Sequence, residues 1–187
     1  MTKDFEPDPE LDALLEKYTD VVEGKMGEVL GHFRCDLDGR FSSVRTAETN
    51  LGNLVTDIMV AALNADCALL NSGTLRSDQK HMAGEFILRD LLTILPMMDE
   101  LILLDVSGKM IHDALENGVS MWPKLEGRFP QVSGITFAFD PSKPPGSRVN
   151  PEYVKVGDRT PHSWDSSSMS SCRWAMNTWT WSTTTSW

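Results

Sequence analysis

Two arginines and one short polar loop carry the residue types in this sequence that best suit the binding of a small ligand. Arg45 lies a few residues before a segment whose apolar side chains recur at helical spacing. Asn71, Gly73 and Arg76 belong to the loop NSGTLR, which follows a short apolar run. Arginine presents paired donors in one plane, and the asparagine amide offers both a donor and an acceptor. We therefore predict that these residues converge on one anionic or polar ligand.

The same residues also have a simpler interpretation. Asn71 and Gly73 are residue types that commonly form turns, and both arginines could be solvated. A ligand site is favoured if a buried strand delivers the loop, because loops at the carboxyl ends of strands often bind ligands in α/β folds. Residue chemistry alone leaves both interpretations open.

The spacing of apolar residues predicts the elements that would hold this site. Residues 50–63 form an amphipathic helix, since their apolar side chains recur on one face. Residues 67–70 form a short buried strand, and the apolar run at 100–106 indicates a second buried strand. Further helices are predicted at 9–18, 89–95 and 108–118, and further strands at 28–35, 133–139 and 153–156. This alternation predicts an α/β fold, a layered mixed α/β sandwich.

Composition bounds the class of protein. The 187 residues suit one domain with its own core, and 41% of them are hydrophobic. Acidic residues outnumber basic ones by 27 to 17, and the net charge of −10 argues against a protein that binds nucleic-acid polymers. No apolar run approaches the roughly 18 residues of a membrane helix, so no membrane segment is predicted. The start MTKDFEPDPELD shows no signal peptide, and the compartment stays unknown.

Catalytic and metal-binding residues are not predicted for this chain. The four histidines stand in none of the short motifs that hold a pair of catalytic metals, and the three cysteines are too scattered for a zinc site. Asp105 interrupts an apolar run, where a hydrogen-bonded or edge residue is the expected role. We therefore expect no catalytic residue, no metal and no cofactor here.

Five motifs occur in order along the chain with natural spacing. They are ETNLGNLVTDIM, ADCALLNSGTLRSD, RDLLTILP, LILLDVSGKMIHDALENGVS and GRFPQVSGITFAFDPSKPPGSRV. Together they resemble the C-terminal domain of the 5′-nucleotidase family, which includes ecto-5′-nucleotidases and bacterial UDP-sugar hydrolases. The resemblance extends from about Asp8 to Gly157, and it implies an interdomain linker region at 1–27 and the domain itself at 28–157.

The resemblance implies roles for the residues of the predicted site. In the family this domain holds the nucleoside part of the substrate, while an N-terminal metallophosphoesterase domain with two divalent metals performs the hydrolysis. Arg45 and Arg76 match arginines that contact the substrate, and Asn71 matches an asparagine that reaches the base or ribose. Gly73 keeps the middle glycine of that loop. Met97 stands where the family usually has a phenylalanine that stacks on the nucleobase, and a thioether lacks that aromatic face.

The last 30 residues, 158–187, differ in composition from the rest of the chain. They contain no Leu, Ile or Val, but eight Ser, six Thr and five of the six Trp residues. The family carries a second stacking aromatic residue and a ribose-binding aspartate near its C-terminus, and that segment is missing here. We predict a disordered, non-homologous tail that an alternative splice or a shifted reading frame would produce. A lineage-specific extension and an aromatic contact surface are the alternatives.

The sequence thus predicts the substrate-binding portion of a 5′-nucleotidase-like phosphoester hydrolase of nucleotide catabolism, incomplete at its C-terminus. The expected partner is a small nucleotide, nucleoside or other organophosphate, held by Arg45, Asn71, Gly73, Arg76 and Met97. Hydrolysis would require the two metals of a separate catalytic domain. The alternatives are a non-catalytic ligand-binding or interaction module, and a truncated product without activity. Family members are often extracellular or periplasmic.

Overall fold

The computed structural model describes residues 8–157 and 172–177, which form a mixed arrangement of helices and strands. The helices are α1 (Pro9–Met26), α2 (Phe41–Val44), α3 (Asn50–Leu63), α4 (Leu88–Ile94) and α5 (Gly108–Val119). The strands are β1 (Val29–Phe33), β2 (Leu37–Asp38), β3 (Cys67–Asn71), β4 (Lys80–His81), β5 (Gly84–Ile87), β6 (Leu101–Val106), β7 (Pro130–Ser133), β8 (Ile135–Thr136), β9 (Lys155–Val156) and β10 (Cys172–Asn177). The predicted α/β class is confirmed.

A four-stranded sheet in the order β6-β10-β3-β7 forms the centre of the molecule. β10 runs antiparallel to β6 and parallel to β3, and β3 runs antiparallel to β7. Three two-stranded sheets, β1-β5, β2-β4 and β8-β9, surround it. β3 is therefore an interior strand, and its carboxyl end delivers the polar loop that begins at Asn71.

The central sheet separates two hydrophobic cores, because strand side chains alternate between its faces. On one face, Cys67 and Leu69 of β3 belong to a cluster with Ile111 of α5. On the other face, Ala68 and Leu70 belong to a second cluster, which includes residues of α3 and α4. All five residues of β3 are buried, as expected for a strand covered on both sides.

Strand β10 differs from the prediction of a disordered tail. Cys172, Trp174 and Met176 lie buried on the α5 face, and Ala175 lies buried on the α3 face. The pattern alternates as in any strand, but tryptophan, methionine and cysteine fill the core positions that Leu, Ile and Val usually fill. A pattern of Leu, Ile and Val therefore does not indicate this strand. The remaining predicted tail segments, 158–171 and 178–187, lie outside the described residues.

Some predicted strands differ from the structure in environment or extent. The strand predicted at 153–156 is limited to Lys155–Val156, and Tyr153 ends the 3₁₀ turn Pro151–Tyr153. β6 is the edge of the sheet rather than a buried strand, so Leu101 and Leu103 remain 41% and 40% exposed. The strand predicted at 133–139 is interrupted at Gly134, whose φ of +71° turns the chain between β7 and β8. A side chain at Gly134 would meet the carbonyl oxygen of Asp66 at 2.5 Å, so glycine suits both the turn and the close approach.

Side-chain caps fix the starts of three predicted helices. Asp8 Oδ1 accepts from the backbone N–H of Glu10 at 3.0 Å, and α1 then continues past its predicted end at residue 18 as far as Met26. Thr49 accepts from Gly52 N at 3.1 Å at the start of α3. Ser107 caps α5 in the same way. Within the ranges described, none of the helices combines the length and apolar character needed to traverse a bilayer.

Candidate functional site

The loop that follows β3 is held by backbone hydrogen bonds from a neighbouring segment. Residues Ser72–Thr74 form a 3₁₀ turn. Within it, Ser72 N donates to the carbonyl of Phe129 at 2.9 Å, and Gly73 N donates to the carbonyl of Gly127 at 2.8 Å. Asn71 is buried at the end of the strand. Because segment 127–129 fixes the backbone, the loop presents its polar groups in one arrangement.

Arg76 leaves this loop toward solvent. Its backbone N–H donates to the carbonyl of Ile94 at 2.9 Å, while the buried Leu75 anchors the preceding residue in the core. Among the residues that the structure describes, the guanidinium donates one hydrogen bond, from Nη1 to the carbonyl of Gly73 at 3.2 Å. The remaining donors of this exposed side chain are available for solvent or a ligand.

Arg45 lies between α2 and α3 and is partly buried. Its guanidinium carbon lies 3.8 Å from the ring centroid of Phe41, and its Nη1 donates to the carbonyl of Leu125 at 2.9 Å. Its Nε is buried and makes no hydrogen bond within the described part of the chain. Burial lowers the pKa of Arg45, and the nearby charge of Arg76 lowers this pKa further, whereas Asp78 acts in the opposite direction. The structure therefore brings the two predicted arginines within electrostatic reach of each other.

Gln131 is a buried residue that the sequence did not single out. The side chain is only 1% exposed, and its amide contacts the segment that carries Arg45. Its Nε2 donates to the carbonyls of Val44 and Ala47 at 2.8 and 2.7 Å, and its Oε1 accepts from Thr49 N at 3.1 Å. These bonds lie on both sides of Arg45. In the sequence, the only indication was a polar residue within the apolar stretch FPQV.

Two further contacts complete the support of the Arg45 segment. Trp122 Nε1 donates to the carbonyl of Thr46 at 3.1 Å. Gly52 lies so close to Gln131 that a methyl group there would be 2.5 Å from the amide carbon Cδ. The segment before α3 is thus held by β7 on one side and by the turn that contains Trp122 on the other.

Met97 lies in a different environment from the arginines. It lines a cavity of about 610 Å³ between β1, β5, α3 and α4, which is called the apolar cavity below. Six of its apolar lining residues are Leu30, Phe33, Leu54, Val55, Phe86 and Leu91. Thr74 of the loop after β3 also lines this cavity, whereas neither Arg45 nor Arg76 does. Of the five predicted site residues, only Met97 contributes to its walls.

Asp38 and His81 are ionisable residues outside this region whose pKa values are shifted. The Arg40 guanidinium donates to both carboxylate oxygens of Asp38 and holds the pKa of that carboxyl well below its usual range. Burial lowers the pKa of His81, and Asp90 opposes this effect. Across residues 8–157 and 172–177, no group of three or more His, Cys, Asp or Glu side chains is arranged to hold a metal ion.

Comparison with known sequences identifies relatives over most of the chain. The sequence model for "5'-nucleotidase, C-terminal domain" matches residues 28–161. The trifunctional nucleotide phosphoesterase YfkN of Bacillus subtilis is 36% identical over 148 residues, which are 77% of this chain and 10% of that protein. A 5′-nucleotidase of Diplobatis ommata is 31% identical over 167 residues, which are 83% of this chain and 29% of that protein. The chain thus spans less than a third of these relatives' lengths.

Solved structures agree with the sequence matches. The 5′-nucleotidase precursor of Thermus thermophilus superposes with a TM-score of 0.73 at 34% identity, over 89% of this chain and 32% of that chain. A Staphylococcus aureus protein described as a 5′-nucleotidase, in complex with α-ketoglutarate, gives a TM-score of 0.73 at 15% identity, over 96% of this chain and 36% of that chain, which supports the fold alone.

Proposed function

Because this chain belongs to the family of 5′-nucleotidase C-terminal domains, we propose that it forms the substrate-binding part of a phosphoester hydrolase in nucleotide catabolism. Its ligand is a nucleotide, a nucleoside or another organophosphate. Arg45, Asn71 and Arg76 supply polar contacts, and Gly73 allows close approach of the ligand to the loop backbone. Met97 supplies an apolar wall in the adjacent cavity, which Thr74 of the same loop also lines. The activity itself is a property of longer proteins, since the chain spans only part of its relatives.

The observation that carries this proposal is the convergence of two cationic side chains in an acidic chain. The charge of Arg76 acts on the guanidinium of Arg45, although the two residues are 31 positions apart in sequence. The chain has a net charge of −10, so two neighbouring guanidinium groups are a local exception to its overall field. Such a pair costs free energy through repulsion and burial, and an anionic or electron-rich ligand offsets that cost.

The dinuclear metal centre that the family resemblance implies does not fit the described residues of this chain. A two-metal site needs several Asp, His and Asn ligands around metals about 3.5–4 Å apart. The described ranges offer no group of three or more suitable His, Cys, Asp or Glu side chains. We therefore assign no step of hydrolysis to these residues, and the proposal concerns binding.

A titration tests the proposal. The ¹⁵N-labelled chain is titrated with adenosine and with AMP, and amide shifts are followed for residues 71–76 and for those around Arg45. We expect saturable shifts in both regions. We expect Arg76→Ala and Arg45→Ala to weaken binding about tenfold or more, because a hydrogen bond to a charged group contributes roughly 1.5–3 kcal/mol.

The matched control is Arg89→Ala, which removes an exposed arginine from α4. We expect this variant to bind as the unmodified chain does. Absence of saturable shifts in the unmodified chain, or equal affinities for all three arginine variants, would contradict the proposal.

A further inference from the structure

Two buried cysteines lie side by side on neighbouring strands of the central sheet. Cys67 begins β3 and Cys172 begins β10, and neither side chain is exposed to solvent. Their Sγ atoms are 3.4 Å apart. The two residues are 105 positions apart in sequence, so spacing along the chain does not indicate that they form a pair. The fold alone brings the two thiols together.

The register of β10 on β3 explains this proximity. The two strands run parallel, and Trp174 is the ladder partner of Cys67. Cys172 precedes Trp174 by two positions, so both side chains point to the same face of the sheet. All three residues belong to the core on the α5 side. The two thiols are therefore diagonal neighbours on one face of a parallel strand pair.

Contacts of the adjacent residues hold the strands in this register. Asp66 N donates to the carbonyl of Arg173 at 2.9 Å, and Arg173 N donates to the carboxylate of Asp66 at 2.9 Å. On the opposite edge of β3, Gly134 follows β7, and a side chain there would come within 3.2 Å of the Cβ of Cys67. The folded chain therefore holds the two cysteines in one relative arrangement.

From this geometry we propose that Cys67 and Cys172 are a redox pair, whose disulfide locks β10 to β3. The oxidant is a small-molecule disulfide such as oxidised glutathione. The sulfur atoms of a disulfide are about 2.05 Å apart, so the two Sγ atoms must approach each other by roughly 1.4 Å. The inference does not depend on the ligand-binding role proposed above.

The disulfide forms by two thiol–disulfide exchange steps. Because both sulfur atoms are buried, the first step takes place while β10 is outside the sheet, during folding or local opening. The Cys172 thiolate attacks oxidised glutathione, which gives a mixed disulfide and releases one glutathione thiolate. When β10 enters the sheet, the Cys67 thiolate attacks the Cys172 sulfur and releases the second. Two protein thiols are oxidised, one glutathione disulfide is reduced to two glutathione molecules, and the protons of the cysteines pass to those molecules.

Peptide mapping of the unmodified 187-residue chain tests the pairing. The reduced, folded chain is oxidised in a glutathione buffer, quenched with acid, alkylated, digested with trypsin and analysed by mass spectrometry. We expect a peptide pair that joins Cys67 to Cys172, whereas the exposed Cys35 is recovered alkylated or bound to glutathione. After oxidation in concentrated urea, the link between Cys35 and Cys67 should dominate instead, because the shorter loop closes more readily.

Urea denaturation of the Cys35→Ser chain tests the lock. Oxidation should raise the urea midpoint and lower the equilibrium constant for unfolding roughly a hundredfold or more, because the disulfide closes a long loop. A thiol reductant should reverse both changes. The matched control adds Cys172→Ala to Cys35→Ser and should show the same midpoint under both conditions. Cys67→Ala replaces Cys172→Ala in this control if that variant does not fold.

Three results would overturn the proposal. The first is a digest of the oxidised, folded chain without a peptide pair that joins Cys67 to Cys172. The second is a yield of this link that is no higher from the folded chain than from the chain in urea, because the fold would then not bring the thiols together. The third is a urea midpoint of the Cys35→Ser chain that oxidation does not raise.

Discussion

Gln131 shows how a single buried amide organises the segment before α3. Its two amide hydrogens and its oxygen all find partners in the backbone of residues 44–49. A fully satisfied polar group in a core fixes a specific arrangement, whereas an unsatisfied one is costly. Arg45 lies between the bonded positions, so Gln131 supports the backbone from which its side chain extends.

Gln131→Met should therefore destabilise the fold. Methionine has a side chain of similar length but no amide. The carbonyls of Val44 and Ala47 and the N–H of Thr49 therefore lose their hydrogen-bond partner. We expect the free energy of unfolding to fall by roughly 3 kcal/mol or more, because each orphaned buried group costs about 1–3 kcal/mol. Urea denaturation measures the change. Gln79→Met, at an exposed position, serves as the control, and an equal loss in both variants would contradict the assignment.

Gly52→Ala should also lower stability, although alanine favours helices. The added methyl group would lie 2.5 Å from Gln131 Cδ, so the amide or the helix must move. We expect a net loss of about 1–3 kcal/mol from overpacking. Gly24→Ala in α1 is the matched control, because nothing lies within 4 Å of its added methyl group. That variant should gain up to about 1 kcal/mol from helix propensity. Thermal and urea unfolding of both variants distinguish the two effects.

His81 should make stability depend on pH. Burial lowers its pKa in the folded protein below the ordinary value of 6.5, so the unfolded chain binds more protons between these two values. The stabilisation is present above about pH 6.5 and is lost as the pH falls toward the folded-state pKa. Between pH 7 and pH 5, we expect the free energy of unfolding to fall less in His81→Gln than in the unmodified chain. His32→Gln, at an exposed position, should lose as much stability over this pH range as the unmodified chain does. If the free energy of unfolding of His81→Gln depends on pH as that of the unmodified chain does, the prediction is wrong.

At the scale of elements, the sequence predicted those parts of the fold whose patterns are long and regular. The helix at 50–63 has the predicted bounds, because an apolar face and a threonine cap define both its interior and its start. The strand predicted at 100–106 forms as β6, but the prediction of a buried strand was wrong, since an apolar run does not distinguish an edge strand from an interior one. β10 was missed because six residues with one Trp, one Met and one Cys carry too short a pattern.

Met176→Ala tests the position of β10 in the sheet. Met176 is fully buried in the core on the α5 side, so its truncation should cost about 2–5 kcal/mol. Met82→Ala, at an exposed position, should stay within about 0.5 kcal/mol of the unmodified chain. Urea denaturation compares the two variants. A loss in Met176→Ala no larger than that in Met82→Ala would mean that β10 does not contribute to the folded sheet.

At the scale of the molecule, the candidate site could be predicted only in part. Loop chemistry and the family resemblance predict Arg45 and Arg76 as site residues, and the fold places Arg76 close enough for its charge to act on Arg45. The resemblance groups Met97 with them, and that residue lines the apolar cavity, to which neither arginine contributes. Gln131 could not be predicted, because its role arises from a contact across 82–87 positions of sequence. Local patterns carry no information about such pairs.

The 187-residue chain should release no phosphate from AMP or UDP-glucose when Mn²⁺ or Zn²⁺ is added. A two-metal centre needs clustered ligands, and the described portion of the chain offers no cluster of three or more suitable side chains. A colorimetric phosphate assay measures release from AMP, and chromatography of the nucleotides measures conversion of UDP-glucose to UMP, each against a blank without protein and with an active 5′-nucleotidase as the positive control. Release that increases with the amount of pure chain and disappears with a chelator would contradict this expectation.

The position of β10 has a consequence for biosynthesis. β10 pairs with both β6 and β3, yet it follows them by more than sixty residues in the chain. Until Cys172–Asn177 has left the ribosome, β3 and β6 each lack the neighbour that satisfies their backbone along one edge. Unpaired strand edges are templates for pairing with other chains. A nascent chain that ends near residue 157 therefore exposes unpaired edges on β3 and β6. Such a chain depends on rapid synthesis of β10 or on a chaperone to avoid aggregation.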